Sequence, residues 1–151
     1  MRTPDEALAF CLRARTQTYA AQTGRAMPLL GGSQQFEYAE VPWHYRDVFY
    51  QGNGLFPGME TVYYDGRPVW SMTYFGDSSR MTEQQADSML RPALLDLWET
   101  TRTHVRVDKD FGTYHYVCAG EGSASHIRGL EEIGIGGERV YWLQYAGGFI
   151  G

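Results

Sequence analysis

A chain of 151 residues, 43% apolar and 15% aromatic, can bury a core, which excludes wholesale disorder. A net charge of −5, with Lys109 the lone lysine and the arginines scattered, argues against a duplex-binding surface, because phosphate contact needs clustered cations. No stretch approaches the roughly 18 apolar residues of a membrane span and no leader-like apolar core follows the first arginine, so a cytoplasmic protein without a membrane segment is expected.

The first segment, TPDEALAFCLRARTQTYA, predicts a helix. Thr3 can cap it, Pro4 fits the first helical position, and Glu6 completes a capping box. Leu8, Cys11, Leu12 and Tyr19 fall on one face, widened by Phe10 and Ala14, while Arg13 and Gln17 face water. Gly24 is a stop signal. PLLGGSQQ reads as a loop. Four strands follow: FEYAEV, HYRDVFYQ closed by the turn GNG, METVYY, and RPVWSMTYF. Asp65–Gly66, between the last two, is the strongest hairpin signal in the chain. Pro68 implies an edge position or a strand beginning.

A second helix is predicted over MTEQQADSMLRPALLDLWET, capped by Thr82 with Gln85 and kinked or split at Pro92. TYHYVCAG, GLEEIGI and ERVYWLQYA supply three more strands, the last two joined at Gly136–Gly137. Cys11 and Cys118 form no CxxC pair and read as two buried thiols.

The stretch Gly58–Gly76 lies over Gly129–Gly147 at a constant offset (129 − 58 = 71; 147 − 76 = 71). Gly58, Glu60, Gly66, Val69, Tyr74 and Gly76 recur as Gly129, Glu131, Gly137, Val140, Tyr145 and Gly147. The strand upstream aligns if two residues are inserted, so that Val48 meets Val117. The expected fold is therefore α+β. One domain, 1–151, holds two helix-plus-antiparallel-meander repeats, about 3–77 and 81–148, packed with pseudo-two-fold symmetry. Period two places Trp70, Met72 and Tyr74 on one face, and Tyr141, Leu143 and Tyr145 on its counterpart; these oily faces should cover the helices.

YRDVFYQGNGLFPGMETVYYDGRPVWSMTYFG, followed by the closing YWLQYAGG, resembles domain-of-unknown-function family 5680. The shared pattern is Tyr45-Arg46-Asp47, then Phe56, Gly58 and Glu60, then Gly66, Pro68, Val69, Trp70, Met72, Tyr74 and Gly76. The resemblance covers nearly the whole chain and is weakest around Pro92 and HYVCAGEGSASHIRG. It implies no catalytic residues. Similar domains occur alone or behind a helix-turn-helix in proteins labelled as transcriptional regulators, which implies a sensing or partner-binding role.

Several residues are candidates for chemistry. Glu60 and Glu131, preserved by the repeat, read either as paired carboxylates for acid–base or ligand work, or as structural acids held by Arg46, Arg128 or backbone N–H groups. Tyr45 and Asp47 share a side of their strand with Phe49, so Asp47 is either the polar anchor of a cleft or half of a cross-strand salt bridge. His104, His115, His126 and Cys118 match no metal spacing, so no metal and no cofactor is expected. GEGSASH lacks the strand–turn–helix of a nucleophile elbow, and GGERV and GNG lack the setting of a phosphate loop.

The favoured function is a non-catalytic, regulatory module binding a small molecule or a protein partner. Its aromatic-lined groove between the repeats would hold Tyr45, Asp47, Glu60, Trp70 and Glu131. A small enzyme using Asp47, Glu60 or Glu131 on an aromatic or polyketide-like substrate is the alternative. A protein–protein interaction domain, marked by an exposed apolar patch or a homodimer, is the third reading.

Overall fold

The computed structural model describes residues 2–151. Helix α1 spans Pro4–Thr16 and opens with the expected capping box. The Glu6 N–H donates to Thr3 Oγ1 at 3.2 Å, and the Thr3 N–H donates to Glu6 Oε2 at 2.8 Å. The helix stops before its predicted end. The Thr18 hydroxyl donates to the Ala14 carbonyl at 2.9 Å and the Thr23 hydroxyl to the Gln17 carbonyl at 2.7 Å. Such side-chain bonds compete with continuation of the backbone ladder. Ala7, Leu8, Phe10, Cys11, Ala14 and Arg15 are on the buried face.

Eight strands follow: β1 Gln34–Glu40, β2 Trp43–Phe49, β3 Leu55–Tyr64, β4 Arg67–Asp77, β5 Arg106–Phe111, β6 Tyr114–Ser123, β7 His126–Ile135 and β8 Glu138–Phe149. They form one antiparallel sheet in the order β1-β2-β3-β4-β8-β7-β6-β5, so the α+β class holds. β4 and β8 meet at its centre with Tyr74 opposite Tyr145. Asp65 (φ 49°) and Gly66 (φ 73°) make the β3–β4 turn, and Gly136 (φ 58°) and Gly137 (φ 81°) the β7–β8 turn. Two successive positive φ values match the strand twist of a tight hairpin. Pro68 is the second residue of β4, a strand beginning and not an edge.

β5 has no counterpart among the strands the sequence predicts, and its composition explains why. RVDKDF has two apolar side chains among four charges, a pattern that protects an edge from further pairing but hides the strand.

The second helical stretch is split as Pro92 requires. It comprises α2 Glu83–Gln85, a π-helical turn Ala86–Leu90 and α3 Arg91–Asp96. Pro92 offers no N–H to the preceding turn, and the wider turn absorbs the break. Leu90, Ala93 and Leu94 join α1 in one core over a single sheet face, with Tyr45, Trp70, Met72, Tyr141, Leu143 and Tyr145 beneath them. The opposite face carries exposed Met59, Thr73 and Phe75. Among the described residues no helix is long and apolar enough to cross a membrane.

Candidate functional site

The inner face of the sheet carries three buried carboxylates, and their partners differ sharply. Glu60 on β3 is held by Arg15 of α1, with Nε to Oε1 at 2.8 Å and Nη2 to Oε2 at 2.7 Å. The Tyr45 hydroxyl donates to Glu60 Oε1 at 2.7 Å. Arg15 spends its remaining nitrogen on the carbonyls of Thr101 and Arg102, at 3.2 and 3.3 Å. Glu131 on β7 is held in the same manner by Arg102, whose Nη2 lies 2.9 Å from Oε1, and by the hydroxyls of Tyr141 at 2.7 Å and Tyr116 at 2.6 Å. Burial pushes both acids up, but the arginine charges and hydroxyl donors outweigh it and hold both below the ordinary glutamate value.

Neither arginine is the one expected from the sequence. Arg46 pairs with Glu37 and Arg128 with Glu121, both on the outer face. Arg15 and Arg102 come from outside the sheet, so no strand spacing points to them. Arg102 adopts a left-handed backbone (φ 54°), and its N–H donates to Cys118 Sγ at 3.2 Å. A non-glycine residue there costs about 1–2 kcal/mol, which the two-pronged grip on Glu131 offsets.

Asp47 on β2 is different. It faces Glu60 across the strand pair, is 5% exposed, and receives one hydrogen bond among the described residues, from the Tyr74 hydroxyl at 2.7 Å. No arginine reaches it. Burial is the largest cause raising its pKa and the Glu60 charge the next; with Tyr74, Arg102 and Arg15 pulling the other way, it comes to about 7.

Local sequence explains how Tyr74 reaches Asp47. Tyr74 sits opposite Gly58, and Phe56 opposite Gly76. A Cβ on Gly58 would lie 2.3 Å from the Tyr74 ring, and one on Gly76 would lie 2.3 Å from Phe56. Each ring thus lies flat over the neighbouring strand's glycine. That is the physical content of the Phe-x-Gly and Tyr-x-Gly patterns.

Asp47 lies at the floor of a cavity of about 140 Å³. Phe49, Phe56, Tyr74, Tyr141 and Leu143 line its sheet side, and Met81, Ala86 and Leu90 its helical side. Phe56 stacks on Tyr141 with centroids 5.9 Å apart and tilts against Tyr74 at 6.4 Å, making a continuous aromatic wall. The mouth is polar, with exposed Gln22, Arg25, Gln51 and Glu83. A second space of about 20 Å³, lined by Arg15, Tyr45, Asp47, Glu60 and Arg102, is too small for more than a water molecule.

The structure brings Tyr45, Asp47 and Glu60 together at this second space, and Asp47 alone reaches the larger cavity. Trp70 and Glu131 line neither. Trp70 is fully buried with its indole N–H donating to the Ala124 carbonyl at 3.3 Å, and Glu131 is fully buried in its arginine grip. Tyr74, Phe56 and Tyr141 were legible as pattern or oily-face residues but not as cavity walls. Among the described residues no group of three or more His, Cys, Asp or Glu is placed to hold a metal ion.

No curated protein and no solved structure matches the chain significantly. A family model described as a domain of unknown function, DUF5680, matches residues 47–150, a span that begins at Asp47 itself and takes in every strand of the cavity floor from β3 onward. The chain belongs to the DUF5680 family.

Proposed function

We propose that this protein is a small-molecule-binding module of regulatory type whose ligand occupies the cavity above Asp47. One observation carries the reading: a carboxyl group 5% exposed, with a single protein hydrogen bond, at the floor of an aromatic-walled cavity of about 140 Å³. Burying an acid without a full set of partners costs several kcal/mol. Apolar packing or an arginine would remove that cost, as it does for Glu60 and Glu131. A ligand that supplies the missing partner gives the arrangement a purpose. The volume suits one small ring, since a cavity of about 150 Å³ accommodates benzene. The regulatory character follows the role that similar domains beside helix-turn-helix segments imply.

Native mass spectrometry of the protein purified from its own host tests this. A small-molecule adduct is expected on the wild type and absent from Ala86→Phe, which fills the cavity from the helical side. Identical spectra without any adduct, together with no thermal stabilisation by any compound of a ring-sized library, would refute it.

An acid–base enzyme is the second reading, favoured by the division between neighbouring carboxyl groups. Asp47 is raised to about 7 while Glu60 is held low, the pattern that separates a proton donor from a permanent anion. The two readings part on the adduct: a binding module returns its ligand unchanged after prolonged incubation, whereas an enzyme converts it.

The two halves of the sheet are further read as products of duplication. In support, β3 and β7 share an offset at both ends (126 − 55 = 71; 135 − 64 = 71), and the register shift at Val62/Tyr63 recurs at Ile133/Gly134. Asp47 opposes Glu60 as Cys118 opposes Glu131, so the upstream strands align at the same offset (118 − 47 = 71) without the two-residue insertion. The helices do not keep this spacing, since their caps Thr3 and Thr82 differ by 79 (82 − 3 = 79).

A further inference from the structure

We propose that the ligand of this cavity is a small organic amine, bound as a cation with its nitrogen on Asp47 and its body against Phe49, Phe56, Tyr74 and Tyr141. The inference rests on the cavity being a binding site and names what that site would take.

The charge inventory around the cavity selects this class. Arg15 is committed to Glu60 and Arg102 to Glu131. Arg91, on the helical wall, is committed to Glu83 and Asp87 and lies over the Tyr19 ring at 5.2 Å. Arg25 sits at the exposed mouth and bonds Gln34 and Gln22. Each cation near the floor is therefore matched by an acid, and Asp47 is the acid left over. A ligand anion would meet Asp47 with the Arg91 and Arg102 guanidiniums that also line the cavity already charge-paired, leaving Arg91 Nε as a donor without a partner among the described residues. A ligand cation supplies the missing charge.

The walls point the same way. Ring faces attract cations through their quadrupole, by about 0.5–2 kcal/mol each once water is excluded. Three of the lining rings, Tyr74, Phe56 and Tyr141, are contiguous. An acid at the base of an aromatic wall is complementary to an ammonium group on a ring-sized body and wasteful for a neutral hydrocarbon.

Binding would be linked to pH. The groups facing Asp47 are Cys11 and Arg15 of α1, Tyr45 of its own strand, Glu60, Tyr74 and Arg102. With this set the free acid titrates at about 7, so below that pH a cation must first displace its proton. Amine affinity should fall roughly tenfold per pH unit on the acid side of that value and level off above it.

Isothermal titration calorimetry with benzylamine and its neutral isostere benzyl alcohol tests the assignment at about pH 6 and about pH 8, on either side of the Asp47 titration. Benzylamine should bind roughly tenfold tighter at the higher pH, releasing a proton at the lower, while benzyl alcohol should not change. Asp47→Asn, which keeps an oxygen for Tyr74, should abolish the amine preference and retain the alcohol. Near-UV circular dichroism establishes that the variant is folded. Equal affinity for the two probes, or an amine preference that survives in Asp47→Asn, overturns the amine assignment while leaving a binding cavity. Failure of both probes also overturns it, and the cavity reading falls with it if the native spectra show no adduct sensitive to Ala86→Phe.

Discussion

Replacing Asp47 by asparagine should make the protein more stable at neutral and alkaline pH. The folded-state pKa of Asp47 is raised to about 7 from the ordinary 3.8, so between these values the native state holds a proton that the unfolded chain releases. Stability contributed by this group is present at low pH and is lost as pH rises through the folded pKa. Three pH units at about 1.4 kcal/mol each set a ceiling of roughly 4 kcal/mol on the loss at pH 8, before relaxation of the site reduces it. Asparagine carries no charge and accepts the Tyr74 hydroxyl through its carbonyl oxygen. Urea denaturation of both proteins from about pH 4 to pH 8 gives the difference directly. The stability gap should widen in favour of Asp47→Asn up to about pH 7 and flatten above it. Glu131, held low, gives the opposite slope in both proteins and cancels in the difference. A gap independent of pH, or one favouring the wild type more as pH rises, would refute the picture of Asp47 as a buried, uncompensated acid.

Three other perturbations follow from the same geometry. Gly58→Ala places a methyl 2.3 Å from the Tyr74 ring and should cost about 1–3 kcal/mol by urea denaturation, with loss of the raised Asp47 titration in carbonyl NMR. Arg15→Met leaves Glu60 buried without its cation and should destabilise by about 3–5 kcal/mol, whereas the double change Arg15→Met with Glu60→Gln should recover a large part of it in thermal unfolding. Cys11 and Cys118 are buried, and burial raises both thiols, so a thiol-reactive dye should label neither before urea opens the fold.

Much of the scaffold was legible because its signals are local. The Thr3–Glu6 and Thr82–Gln85 boxes, the Asp65–Gly66 turn and the alternation of Trp70, Met72 and Tyr74 each act within a few residues, and period and turn chemistry report them. β5 escaped because an edge strand needs no apolar alternation. The site was legible only in part. Asp47 stood out as an acid between aromatic residues on one face, and Phe49 as its cleft wall, since strand periodicity places both. Arg15 and Arg102 could not be found in that way. Each grips a glutamate more than twenty residues distant, and which arginine arrives depends on how the helices dock, which no spacing encodes. Trp70 and Glu131 carry the same marks of strand position and bulk as true cavity residues. What covers them separates them: Trp70 reaches the Ala124 carbonyl and Glu131 lies in the grip of Arg102.

The pairing of the two sheet halves sharpens what Asp47 means. At matching register, Glu60 and Glu131 are both acids with an arginine and tyrosine hydroxyls, and Tyr74 and Tyr145 both lie over a glycine. These shared features build the sheet, because each half needs them to bury its inner face. The position opposite each glutamate is where the halves part. Tyr74 donates to Asp47 at 2.7 Å, while Tyr145 lies 3.3 Å from Cys118 and donates instead to the Thr103 carbonyl at 2.9 Å. Cys118 is a small, neutral group that a core accepts without cost, and it lines neither of the two spaces around Asp47. Asp47 is an acid that a core accepts only at a penalty, and the cavity lies beside it. A residue matched by neither the helices nor the opposite half, yet tolerated at a cost to stability, is what the proposed ligand would explain. Structural demand accounts for Glu60 and Glu131 without remainder; at Asp47 it accounts only for the tyrosine.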